Sequence, residues 1–187
     1  IPTVPKERRI RPIHIWQSAA AILFLLLASS VYLSTVGTKA ETDLLQQYIP
    51  IAEMRSLTLP DGTKVQLNSK STLLYPQEFT GDSRSVFLLG EANFKVKPDK
   101  KRPFIVKSND LQITALGTEF NVSAYPESQE IATTLISGSI RVDYNNLTTS
   151  VILHPNEQFA YNRNNKKYDL SNPDMDDVTA WQRGELV

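Results

Sequence analysis

The sequence contains no cysteine and only two histidines. Without thiols there is no disulfide framework, no cysteine nucleophile and no thiolate metal site. His14 and His154 stand far apart in the chain, a poor start for a zinc site, and no metal or cofactor is expected. Excess charge of one sign is missing as well. Twenty basic side chains balance twenty acidic ones, which argues against a nucleic-acid surface built from clustered Lys and Arg. The seven glycines form no phosphate loop or dinucleotide fingerprint, and no EF-hand spacing occurs. His154 has no serine on a strand-to-helix elbow to serve. The carboxylates Asp61, Glu91 and Glu119 are available, but nothing in the sequence brings two of them to one substrate. An enzyme that turns over an external substrate is therefore not expected.

One long stretch also lacks charge, and it is the most informative part of the chain. Residues 15–36, IWQSAAAILFLLLASSVYLSTV, hold ten Ile, Leu, Phe or Val residues. At roughly 22 residues the run matches a hydrocarbon core about 30 Å thick. Each such residue favours insertion by about 0.3–0.6 kcal/mol near a helix centre. Lys6, Arg8, Arg9 and Arg11 precede it against one acid, Glu7, and Lys39, Glu41 and Asp43 follow. The basic flank stays in the cytoplasm, so everything after Val36 is expected outside. The other reading is a cleaved signal peptide, with Thr38-Lys39-Ala40 as a loose cleavage site. The apolar stretch exceeds a usual signal core and Lys39 disfavours the site, so a retained anchor is expected.

Beyond the anchor the periodicity drops to two. Leu57-Thr58-Leu59, Lys64 to Leu67, Asn93 to Val96 and Ile140-Arg141-Val142 alternate, and turn residues such as Pro60-Asp61-Gly62 and His154-Pro155-Asn156 bound them. Short alternating runs between turn signals predict an antiparallel all-β domain, a sandwich or prism of short hairpins. The expected division is a stub over 1–14, a transmembrane helix over 15–36, a linker over 37–53, the β domain over 54–170 and an outgoing linker over 171–187. Within the first linker, Glu41 to Tyr48 reads as a helical turn or two ended by Pro50. Within the last, Asp174 opens a short capped helix broken at Gly184.

Five segments share one form, strand, small or polar turn, strand: SLTLPDGTKVQL, SVFLLGEANFKV, QITALGTEFNV, TTLISGSIRV and SVILHPNEQFAY. Each predicts a place where the chain folds back or changes sheet. In the third, Thr118 puts a hydroxyl directly after Gly117. That hydroxyl can in principle attack the Gly117 carbonyl, exchanging amide for ester, if the corner is strained and a base and an oxyanion donor assist. A plain Gly-Thr turn is the alternative, and the residues alone leave both open.

LPDGTKVQLNSKSTLLYP, RSVFLLGEANFKV, RPFIVKS, LGTEFNVSAYP and TTLISGSIRV, in that order, resemble the periplasmic domain of FecR-type anti-sigma factors in their Bacteroidetes-like form. The resemblance spans about residues 54–162. It implies a single-pass protein of the bacterial inner membrane with a cytoplasmic N-terminus and a periplasmic main domain. The implied partners are a sigma factor of the extracytoplasmic-function class, the signalling domain of a TonB-dependent outer-membrane transporter, and a site-specific membrane protease. It further implies an α/β domain after the join at Trp181 to Leu186, and for some members self-cleavage at the bond corresponding to Gly117-Thr118. A membrane-anchored module that binds a glycan or an envelope protein is the rival expectation.

Overall fold

The computed structural model describes residues 12–36 and 43–184. The basic residues 6–11, the 38–40 tripeptide and residues 185–187 lie outside them. The chain divides into two compact units, 1–41 and 42–187.

In the first unit, helix α1 (Pro12–Val36) covers 25 residues. Side chains from Ile22 to Leu27, which point in every direction around a helix, are each 59–72% exposed. Among the described residues no helix is long and apolar enough to cross a membrane; the described side chains of α1 are those of Gln17 and residues 20–32.

The second unit is mainly β. Its strands are β1 (Leu44–Tyr48), β2 (Arg55–Thr58), β3 (Lys64–Leu67), β4 (Thr72–Pro76), β5 (Arg84–Lys95), β6 (Phe104–Ser108), β7 (Leu111–Ala115), β8 (Glu119–Ala124), β9 (Glu130–Ser137), β10 (Ile140–Tyr144), β11 (Thr149–Leu153), β12 (Gln158–Asn162) and β13 (Tyr168–Ser171). A short helix α2 (Met175–Ala180) and a 3-10 turn (Trp181–Arg183) follow. Asp174 caps α2 through its carboxylate, which accepts from Asp176 N, and Gly184 ends the turn in the left-handed region, as expected.

Two sheets share one long strand. The first sheet runs β1-β4-β5-β6-β7-β10-β11 and the second β2-β3-β5-β8-β9-β12-β13. β5 belongs to the first sheet up to Leu89 and to the second from Gly90 onward. Apart from the β2–β3 hairpin, the repeated segments are sheet changes. β5 crosses at Gly90, β7 to β8 at Gly117, β9 to β10 at Gly138, and β11 to β12 at Pro155-Asn156. The inward residues of both sheets close one core, in which Phe94 of β5 stacks on Phe120 at 5.4 Å and approaches Phe104 of β6 at 5.9 Å.

Two expectations need correction. The sheet is mixed rather than wholly antiparallel, because β5 and β6 pair in parallel. The tail of β5 lies in the second sheet, so residues 96–103 return the chain beside the head of the same strand. The turn of helix expected over 41–48 is instead the edge strand β1 from Leu44. The helix-compatible Leu and Gln residues there are overridden by the open edge of β4. Ile49, directly after it, is fully buried.

Candidate functional site

β7 turns Leu111, Ile113 and Ala115 inward. The alternation then leaves Leu116 outside, 47% exposed. At Gly117 the backbone takes φ +149, and a Cβ there would stand 2.9 Å from both Cα and Cβ of Pro98. Only glycine fits so close an approach. The next residue, Thr118, turns its side chain inward and is 7% exposed, and among the described residues its Oγ1 has no hydrogen-bond partner. The corner at Gly138 lies against it: a Cβ on Gly138 would meet Thr118 Cγ2 at 2.6 Å. Immediately beyond, the β8–β9 register shifts between Glu119 and Phe120, a bulge that adds twist at the corner.

Residues 96–103 form a strap over this bond. Val96 N donates to the Thr118 carbonyl at 2.9 Å, and Asp99 N donates to the Leu116 carbonyl at 3.1 Å. A buried ion pair holds the strap. Arg84 Nη1 donates to Asp61 Oδ2 at 2.7 Å, with the two side chains 1% and 4% exposed. The same Nη1 donates to the Lys97 carbonyl at 2.9 Å, and Nε donates to the Arg102 carbonyl at 2.9 Å. Asp61 also accepts from Thr63 N and Thr63 Oγ1, and Thr63 Oγ1 accepts from Lys97 N. On the outer side of the strap, the Arg102 side chain donating to Asp99, joined by Lys101 N, holds the Asp99 carboxyl below its ordinary pKa.

Chemically, the corner offers a hydroxyl on the residue that follows a glycyl carbonyl, so that attack would close a five-membered ring, in a backbone fixed from both sides. Among the described residues no base is hydrogen-bonded to Thr118 Oγ1. The three carboxylates singled out above stay apart. Asp61 faces Arg84, Glu119 pairs with Lys95 at 3.1 Å, and Glu91 accepts from Asn68 and Asn121. Sequence reasoning missed Arg84. Its signal was parity: Arg84 shares the inward phase of Val86 and Leu88, so a charge was due to be buried there.

The position of the bond in the fold also matters. Strands β1 to β7 precede it and β8 to β13 follow it. Among the described residues, the two halves meet in the first sheet where Gln112–Ala115 of β7 pairs with β10, and in the second where Gly90–Lys95 of β5 pairs with β8. A cut at this bond would divide both sheets, each along one seam.

Residues 49–141 match the family model described as FecR protein. A crystal structure of a candidate anti-sigma factor from Parabacteroides distasonis ATCC 8503 superposes with a TM-score of 0.73 at 39% identity, over 76% of this chain and 66% of that one. A second such structure from the same organism gives 0.72 at 38%, over 75% and 65%. The chain thus spans just under two thirds of these relatives. No curated protein sequence matches it.

Proposed function

Because this chain belongs to the FecR family, we propose that it is a single-pass regulator of the bacterial inner membrane that restrains a sigma factor. The observation that carries the reading is the FecR match over 49–141, on a fold shared with two crystal structures of a candidate anti-sigma factor. The anchor is α1: a helix apolar on every side has no water-facing stripe, and lipid satisfies it. The sigma factor is of the extracytoplasmic-function class and is held on the cytoplasmic side. The β domain faces the periplasm and receives the state of a TonB-dependent transporter, and a membrane protease completes the release.

Self-cleavage at Gly117-Thr118 belongs to the same proposal. Thr118 Oγ1 attacks the Gly117 carbonyl carbon, the C–N bond breaks, and the hydroxyl proton passes to the departing nitrogen. Water then hydrolyses the ester, leaving a Gly117 carboxylate and a Thr118 amine. The φ of +149 at Gly117, which only glycine takes readily, and the hydrogen bonds from the strap on either side support a bond held in one fixed geometry. The regulatory role is tested by transcription from the promoter of the cognate sigma factor in cells with and without this gene. Deletion should change that transcription, and unchanged transcription under inducing and non-inducing conditions would refute the role. Alkaline phosphatase fused after Val187 should be active, as in an exported domain. A soluble product beginning near Glu41 would mean a cleaved signal peptide instead of an anchor.

A further inference from the structure

The outer face of the second sheet carries a polar row five strands wide. Gln66, Asn93, Asn121, Thr134 and Gln158 are direct cross-strand neighbours on β3, β5, β8, β9 and β12. Beside it runs a row of Glu91, Ser123 and Ala132, whose small members leave space above the sheet. α2 and the 3-10 turn lie over this face, tied down where Gln66 Nε2 donates to the Gln182 carbonyl. The result is a groove of about 620 Å³, lined by Glu91, Asn121, Thr134, Gln158 and Trp181 among others. That is a usual size for a small-molecule site.

Its chemistry is selective. Glu53, Glu91 and Asp177 line the groove and no Lys or Arg does, so an anionic ligand would lose its hydration with no opposite charge in return. The Glu91 carboxylate is fixed by Asn68 Nδ2 at 2.8 Å and Asn121 Nδ2 at 2.9 Å. Asn121 is 4% exposed, and its remaining acceptor, Oδ1, has no hydrogen-bond partner among the described residues. Trp181 Nε1, a donor on the opposite wall, has none either. Both atoms are covered in this conformation, and a small rotation of the amide or the indole would turn each to the groove, where a hydroxyl group, which donates and accepts, satisfies either. An indole beside the polar wall supplies an apolar body with a polar tip, suited to the C–H face of a sugar ring. We propose that this groove binds a neutral saccharide, with Asn121, Glu91 and Trp181 as its principal contacts. Occupancy would join the second sheet to α2. The proposal does not depend on the sigma-factor reading.

The test uses the full chain in lipid nanodiscs, free of sugar-headed detergent, with Trp16→Phe so that Trp181 is the single indole. Maltotriose, cellotriose and mannotriose are titrated while tryptophan emission is followed, with trigalacturonic acid and a neutral tripeptide in parallel. At least one neutral trisaccharide should give a saturable change. Asn121→Ala should weaken it about tenfold or more, the scale of one lost hydrogen bond in a dry site. Ser123→Leu, on the half-exposed floor, should abolish binding by filling the groove while the unfolding midpoint holds. The proposal is overturned if no neutral trisaccharide binds at millimolar concentration. It is equally overturned if the acid or the tripeptide binds more tightly, or if Ser123→Leu leaves binding unchanged.

Discussion

Arg84 and Asp61 form the buried pair that fastens the strap of residues 96–103. Arg84 spends its contacts on Asp61 and on the carbonyls of Lys97 and Arg102, so losing the carboxylate leaves a guanidinium charge uncompensated in the interior. Asp61→Asn should cost about 3–5 kcal/mol, whereas Asp61→Asn with Arg84→Met, which removes both charges, should recover much of it. Thermal unfolding of the two variants checks this, and equal midpoints would refute it. Tyr125 makes a second residue-scale prediction. Burial, aided by the nearby Glu91 charge, pushes its hydroxyl up to about 12. A raised folded-state value means the native state holds its proton longer than the unfolded state does. Its contribution is therefore whole below pH 10 and is lost as pH rises from about 10 towards 12. Tyr125→Phe also loses the hydrogen bond from the hydroxyl to the Ser69 carbonyl. The variant should be less stable at neutral pH, with a shallower alkaline decline in denaturant unfolding.

At the scale of elements, the sheet changes decide the fold, and β5 is the sharpest. Gly90 has φ +97, and a Cβ there would stand 2.5 Å from Ser71 Oγ and 2.7 Å from Ser71 Cα. The second contact is with backbone and cannot be relieved by a rotamer. Gly90→Ala should therefore cost about 3 kcal/mol or more, strain and overpacking combined, read as a lower unfolding midpoint. These corners were legible in the sequence as repeated strand–turn–strand segments, since period two and a small turn residue are local signals. Which corners double back and which change sheet was not legible. SLTLPDGTKVQL closes a hairpin and TTLISGSIRV crosses between sheets, because the choice rests on partners distant in sequence. The same reason hid the parallel β5–β6 pair and made a strand of Leu44–Tyr48. Gly117 and Thr118 could be singled out from chemistry alone, yet the strap of 96–103 and its clamp required the fold.

For the whole molecule, the bond between Gly117 and Thr118 is placed where a cut changes covalent structure without dismantling the core. The halves would remain joined by the β5–β8 and β7–β10 ladders and by Phe94 stacked on Phe120. The nucleophile logic separates chemistry from shape: Thr118→Ser should retain cleavage, while Thr118→Val, isosteric but without the oxygen, should abolish it with the fold intact. The most direct test of the account is mass spectrometry of the full chain purified without proteases, measured both natively and after denaturation. The account predicts one native species heavier than the intact chain by a single water, which denaturation resolves into two fragments ending at Gly117 and beginning at Thr118. A single uncut chain under both conditions, in folded protein kept for days at neutral pH, would contradict it.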